Sequence, residues 1–375
     1  MLLLKTMHIH EPIHGEIKLS ELALKIIDHP YYERTHYIYQ TGTAYKVFPS
    51  ATHSRKVHMI GTYGITKNLL DNLSQTHKID EHTKELIAIG GLCHDIGHGP
   101  GSHVFDKHVI PKLIEDGVID KDHTWVTHEQ RSIFILREIA KQINISDKDT
   151  EFICNVIEPP EDTKDWRFSI VNNKKHGIDT DKLDYILRDN YMLGLKLNID
   201  IDKIIKHSKI IDGEWSFERR IYNELLNIIL VRYRIHSSLH QFQIVKFDLS
   251  YRNIMLEGAL YKEISTIFQN KDIVSFCKLT DSYVMQNGNP LLISNFNKRG
   301  DYTFIRDKND TSNDDYLEIL SLNINICKTE NDHNPLENVQ FYDYRTNMQC
   351  LINKNQFNIY FPSKETLSYI FKKEI

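Results

Sequence analysis

The sequence predicts a mostly α-helical protein, with a helical core over residues 1–285 and a smaller mixed α+β lobe over residues 286–375. Three observations lead there. Up to about residue 265, apolar residues recur at helical spacing behind polar residues suited to helix N-termini. After about residue 285, Asn287-Gly288-Asn289-Pro290 and Lys298-Arg299-Gly300-Asp301 mark turns, and residues 302–305 and 357–361 read as short strands. No repeat or low-complexity linker divides the chain, and 375 residues suffice for one large core with an appended lobe.

The elements follow in order. Asp80 is placed to cap a helix whose apolar face runs through Leu86, Ile89 and Cys93. That helix must end soon after Asp95, where Gly97, Gly99, Pro100 and Gly101 crowd together. Thr127 caps a second, through Gln130, Ile133, Leu136 and Ile139. A third begins near Asp179 and runs past Leu187, and a long buried helix is expected from Glu218 to about Ile235.

Composition narrows the function. Hydrophobic residues make up 41% and charged residues 26%, as in ordinary soluble domains, and the formal net charge of −5 advertises no nucleic-acid or membrane partner. Five scattered cysteines without a CxxC pair read as reduced thiols. The apolar start Met1–Leu4 is too short for a secretory segment, so a soluble cytoplasmic or nuclear protein is expected. Histidine stands out, with 20 in the chain and many of them between His53 and His128.

Four residues in that region and beyond carry the chemistry: His58, the adjacent pair His94-Asp95, and Asp181 at the start of a later helix. Two imidazoles and two carboxylates suit a Lewis-acidic divalent ion such as Mn, Fe, Mg or Zn. A lone His-Asp pair is common. Here it opens the run His94-Asp95-Ile96-Gly97-His98-Gly99-Pro100-Gly101-Ser102-His103, whose glycines let backbone approach a ligand closely. Cys93 beside His94 suggests a Cys-His nucleophile or a zinc thiolate, but adjacent helical residues face apart and Cys93 continues the apolar face. Asp181, Tyr185, Arg188 and Asp189, at i, i+4, i+7 and i+8, give the third helix a polar face opposite Leu183, Ile186 and Leu187.

The ordered series resembles the HD-domain metal phosphohydrolases, and within them the deoxynucleoside triphosphate triphosphohydrolases that include an animal enzyme with a sterile-alpha-motif domain. The resemblance rests on Pro12-Ile13-His14-Gly15, Val47-Phe48-Pro49, Gly91-Leu92-Cys93-His94-Asp95, Gly97-His98-Gly99-Pro100, Ser102-His103 and Phe105-Asp106. It continues through Thr127-His128-Glu129-Gln130, Gly177-Ile178-Asp179, Asp181-Lys182, Asp184-Tyr185, Arg188-Asp189 and Lys278-Leu279-Thr280-Asp281. It implies an HD-type helical core that splits a deoxynucleoside triphosphate (dNTP) into deoxynucleoside and triphosphate. His58, His94, Asp95 and Asp181 would then be the metal ligands. His98, His103 and His128 would line the phosphates, with His103 as the acid for the departing 5′ oxygen and Asp106, His128 and Glu129 helping to hold it. Arg55 and Lys182 would meet phosphate oxygens, Tyr185 and Asp189 the deoxyribose, and Gln40 its 3′ hydroxyl. His53, His77, His82 and His123 read as surface or packing residues.

Departures from the family bear on substrate and control. The HD-like part starts almost at Met1, so no sterile-alpha-motif domain is expected, and no match is visible beyond Asp281. Asp28 fits a guanine-reading aspartate, but its basic companions are here Met7 and His36, which puts activation by a guanine nucleotide in doubt. Where the family has an arginine, a histidine and a tyrosine-glutamine pair, this chain aligns His236 (with Arg234 nearby), His240 and Ile244-Val245. Phe242 is a candidate to replace the aromatic floor. Two other readings follow: an HD phosphohydrolase of another nucleotide or phosphate ester, and a binding protein that kept the core. The resemblance also implies a homo-oligomer, with a dimer expected.

Overall fold

The computed structural model describes residues 7–298, 301–304, 317–325, 336–350 and 364–373. Helix α1 (Arg55–Leu73) runs through the middle of the fold and is buried along nearly its whole length. One side, with Met59, Ile60 and Tyr63, joins a core containing Leu92, Trp125, Ile135 and Phe268. The other, with Ile65, Leu69, Leu70 and Leu73, joins a second core containing Ile87, Leu183, Ile186 and Phe341. A helix apolar on both sides belongs inside a fold, and α1 serves as the frame on which the site is built.

The predicted helices form where their caps place them. Helix α2 (Glu81–Cys93) starts after Asp80, whose carboxylate accepts from the Thr83 amide at 2.9 Å. Helix α3 (His128–Ile143) opens with a full capping box between Thr127 and Gln130. Helix α4 (Thr180–Met192) is capped by Asp179, which accepts from the Lys182 amide at 3.0 Å. The packing of α2 and α4 on α1 depends on closeness. A Cβ on Gly91 would lie 3.1 Å from Thr66 Oγ1, and one on Gly61 only 2.0 Å from Asp184 Oδ1. Helix α5 (Tyr222–Leu239) starts four residues later than expected, because Glu218 ends a strand. Helix α6 (Phe242–Met255) follows it.

Three small sheets complete the fold. Strands β1 (Met7–Glu11) and β2 (Gly15–Leu19) make an antiparallel hairpin that the helical reading of this region missed. Strands β3 (Ser208–Ile211) and β4 (Glu214–Glu218) pair antiparallel. β4 then runs parallel to β7 (Phe341–Tyr342), and β7 pairs antiparallel with β8 (Gln349–Cys350), so this sheet joins segments from both sides of residue 285. The third sheet has the order β5-β9-β6, from β5 (Tyr302–Phe304), β6 (Leu317–Asn325) and β9 (Lys364–Lys373). Ile305 and the expected strand at 357–361 lie outside the described residues. The third sheet packs on α6 through Tyr302 and Phe371 against Val245 and Leu249. It also reaches α5 and the turn after it, where Tyr369 donates to the His240 carbonyl at 2.9 Å and Tyr233 to Glu365 at 2.8 Å. Among the described residues no helix is long and apolar enough to cross a membrane.

Candidate active site

Three element ends meet at one point. His58 comes from the first turn of α1, His94 and Asp95 from the end of α2, and Asp181 from the first turn of α4. His58 Nε2 lies 3.2 Å from His94 Nε2, 3.1 Å from Asp181 Oδ1 and 3.6 Å from Asp95 Oδ2. His94 Nε2 lies 3.4 Å from Asp95 Oδ2 and 3.3 Å from Asp181 Oδ1. Two donors that share an ion at about 2.1 Å, at angles between square and tetrahedral, stand roughly 3.0–3.4 Å apart. Four of the five spacings fall in that range, and the 3.6 Å between His58 and Asp95 lies just above it.

The tautomers argue the same way. His58 Nδ1 donates to Asp184 Oδ2 at 2.7 Å, and His94 Nδ1 to the Gly91 carbonyl at 2.8 Å. In the neutral form both Nε2 atoms would then face each other with lone pairs at 3.2 Å, a contact that a positive species between them relieves. Burial pushes both imidazoles down. Asp181 and Asp184 more than offset it for His58, and Asp95 and Asp181 do so strongly for His94, so both stand above the ordinary imidazole value. The same carboxylates serve a divalent cation. His58, His94 and Asp95 thus form a buried ligand group, with Asp181 beside it.

A histidine cluster adjoins it. His98 Nε2 is 3.3 Å from Asp95 Oδ1, and its ring stacks on His128 at 4.0 Å between centroids. The ring is 1% exposed, and among the described residues its nitrogens meet only carboxylates at long range, Nε2 that of Asp95 and Nδ1 that of Asp106 at 3.5 Å. His103 stands open to the cleft, 5.4 Å from the His98 ring. Asp106 accepts from His128 Nδ1 at 3.0 Å and from Arg131, and Glu129 lies 3.4 Å from His128 Nε2. The contacts of Asp106 and Glu129 are therefore with His128 rather than His103. Burial lowers His128, but the Asp106 bond and the Glu129 charge raise it above the ordinary imidazole value. His98 is held well below by burial, Arg55 and His128, and His103 by burial, Arg55 and Lys107.

Both groups open onto a cavity of about 410 Å³. Gln40, Arg55, Lys182, Tyr185, Asp189 and His240, each expected at the substrate, all line it. Arg55 is already engaged, donating to Ser102 Oγ at 3.0 Å, the Gln40 carbonyl at 3.1 Å and Asp95. Lys182 pairs with Asp179 at 2.6 Å. Ile244 and Val245 line the cavity, but Phe242 stacks on Phe304 at 4.5 Å in the core under the third sheet. The expected aromatic replacement is therefore not in the cleft. Arg234 is exposed, whereas Arg232, one turn before His236, lines the cavity.

Other residues escaped the sequence reading. Asp184 is wholly buried and receives His58, His14 at 2.6 Å, and Arg188 through both Nε and a terminal nitrogen. An acid next to the core residue Leu183 and three positions after a metal ligand was the available signal. His53 is a packing residue that also orients a neighbour, since its Nε2 bonds Asp189 Oδ1 at 2.7 Å. Lys107 and Asp248 line the cavity, and no sequence pattern marked them.

Fold and site together define a helical, histidine- and aspartate-based metal hydrolase centre. Residues 55–191 match the HD domain family model. Relatives refine that. An HD domain-containing protein of Acanthamoeba polyphaga mimivirus is 32% identical over 73% of this chain and 62% of its own length. The deoxynucleoside triphosphate triphosphohydrolase SAMHD1 of Mus musculus is 28% identical over 95% of this chain and 66% of its own length. The Homo sapiens enzyme of that name is 30% identical over 74% of this chain and 50% of its own length. The chain thus spans between half and two thirds of the length of these relatives. An alignment over 95% of the chain extends past residue 285, which corrects the expectation that similarity ends near Asp281. Short alternating strands hold few invariant motifs, so the likeness there was not visible by eye.

Proposed function

We propose that the protein hydrolyses deoxynucleoside triphosphates to deoxynucleoside and inorganic triphosphate. The observation that carries this is the facing pair of Nε2 atoms on His58 and His94, flanked by Asp95 and Asp181 and opening onto a nucleotide-sized cleft. The relatives named as deoxynucleoside triphosphate triphosphohydrolases supply the substrate class.

A divalent ion bound by His58, His94, Asp95 and Asp181, with Mn, Fe, Mg and Zn as candidates, would supply Lewis acidity beside the phosphate. The protein's own groups do the rest. Water attacks the α-phosphorus, the bond from phosphorus to the 5′ oxygen breaks, and that oxygen needs a proton. His103, open to the cleft, is placed to deliver it. Burial first, then Arg55 and Lys107, hold its pKa down. A bound triphosphate neutralises those cations and draws a proton onto His103. His98, beside Asp95, and His128, fixed by Asp106, contact phosphate oxygens. Tyr185, Asp189 and Gln40 hold the sugar, with His53 fixing Asp189. His240 borders the same cavity and receives the nucleoside end. A homodimer completes this reading, and light scattering tests it: a monomer at working concentration would remove that part.

The test is a panel of four dNTPs and four ribonucleotides with Mn²⁺ or Mg²⁺, products separated by ion exchange, alongside His94→Ala. Deoxynucleoside plus triphosphate from the wild type, and no turnover by the variant, is expected. Stepwise release of the γ-phosphate alone would overturn the assignment. The apolar pair Ile244 and Val245 at the cleft favours a second reading, hydrolysis of another nucleotide or phosphate ester, because no aromatic floor discriminates the sugar there. Turnover of such an ester without any dNTP cleavage would select it.

A further inference from the structure

One acid in the cavity wall has no part in the chemistry proposed above. Asp248, on α6, lines the cavity and stands one turn after Ile244, which lines it too. The Thr43 hydroxyl donates to Asp248 Oδ1 at 2.5 Å. A carboxylate offers about four lone-pair sites, so acceptor capacity remains. Burial raises Asp248 to about 6 against the opposing effects of Thr43 and Lys107, as expected of an acid short of donors.

A series of contacts places Asp248 across the cavity from the metal ligands. The ring of His58 is 6.4 Å from that of Tyr185, Tyr185 is 6.1 Å from His236, and His236 is 6.2 Å from His240. His240 Nε2 then lies 3.4 Å from Lys107 Nζ, whose charge acts on Asp248. On the opposite wall Gln40, expected at the sugar, leads within three residues to Thr43. A carboxylate repels phosphates, so this end of the cleft takes the uncharged part of a nucleotide. The apolar side chains of Leu239, Ile244 and Val245, which line the same cavity, suit the face of a base.

We infer that Asp248 reads the edge of the nucleobase and gives the cleft a preference for guanine. Guanine alone among the four bases sets two donors side by side, N1–H and the 2-amino group, to meet both oxygens of a carboxylate. Adenine and cytosine place a ring acceptor beside the amino group, and thymine flanks its one N–H with two carbonyls. The inference rests on the dNTP reading for its substrate but can fail separately.

The experiment is calorimetric binding at pH 7.5, with Mn²⁺ present, of α,β-imido triphosphates carrying deoxyguanosine, deoxyinosine, deoxyadenosine and deoxyxanthosine. These keep three phosphates but resist cleavage at the α-phosphorus. Wild type, Asp248→Asn and Asp248→Ala are compared, with melting temperatures to confirm that each is folded. Loss of a hydrogen bond to a charged group predicts that wild type binds the guanine analogue about 10- to 100-fold more tightly than the hypoxanthine one, which lacks the 2-amino group. Both variants should lose that difference while binding the adenine analogue within about twofold of wild type. In Asp248→Asn, whose amide donates where the carboxylate accepted, the xanthine analogue should gain on the guanine one. Equal binding of guanine and hypoxanthine by wild type, or a guanine preference kept in a folded variant, overturns the inference and leaves the proposed activity untouched. Asp248-dependent guanine preference in a protein that cleaves no dNTP upholds it and removes the dNTP reading. A wild type that binds none of the analogues removes both.

Discussion

Replacing Asp184 with asparagine tests whether the metal site is held from behind. Asp184 is completely buried and accepts four hydrogen bonds: from His58 Nδ1 at 2.7 Å, His14 Nε2 at 2.6 Å, and Arg188 at 2.9 and 2.8 Å. Asparagine keeps the shape but turns one acceptor into a donor, so an N–H must face either His58 and Arg188 Nε or His14 and the Arg188 terminal nitrogen. Two losses follow. Removing one partner of a buried ion pair costs about 3–5 kcal/mol, reduced here because Glu11 still accepts from Arg188 at 2.9 Å. Loosening the hydrogen bond that orients a metal-binding imidazole lowers metal affinity about 10- to 100-fold. Glu11→Gln separates the two, since it weakens Arg188 without touching His58. Titration of Mn²⁺ into chelator-stripped protein, with melting in parallel, should find Asp184→Asn defective in both and Glu11→Gln defective in stability only. A folded Asp184→Asn protein with wild-type Mn²⁺ affinity would refute the argument that Asp184 fixes His58.

Two further predictions concern packing and protonation. In Gly97→Ala the new Cβ would sit 2.3 Å from the His128 carbonyl and 2.4 Å from the Ser132 amide, backbone on both sides, so destabilisation of about 1–3 kcal/mol or more is expected from denaturant unfolding. An unchanged midpoint would show that α3 does not pack as closely as described. Asp248 is raised to about 6 by burial, despite the Thr43 bond and Lys107. A carboxyl whose folded value exceeds its unfolded one binds more protons when folded, so stability is present near pH 4 and is lost as pH rises towards 6. Asp248→Asn should therefore gain up to about 3 kcal/mol over wild type at pH 7.5 and almost nothing at pH 4. An equal gain at both pH values would count against the raised value.

Much of the site was legible because its chemistry is local. The caps Asp80, Thr127 and Asp179 sit just before periodic runs, and they deliver His94, His128 and Asp181 to element ends. What the sequence could not disclose depends on distant pairing. Arg55 reads as a phosphate contact until its partners on two other segments are seen. Arg232 and Arg234 are equivalent by composition, and only the rotation of α5 decides which enters the cleft. The β1-β2 and β3-β4 hairpins disappear into a helical reading because strands this short carry too few residues for a period of two to stand out. Glu218 reads as a helix start for the same reason.

The parallel pairing of β4 with β7 also sets an order of events during synthesis. Phe217 and Phe341 are both fully buried neighbours across that pairing, yet roughly 120 residues separate them along the chain. At a ribosomal pace of about 5–20 residues per second, β4 waits on the order of 6–25 s with an open edge and an apolar face. Through that interval Glu214 and Glu218 are the charges that β4 itself carries against pairing with another nascent chain.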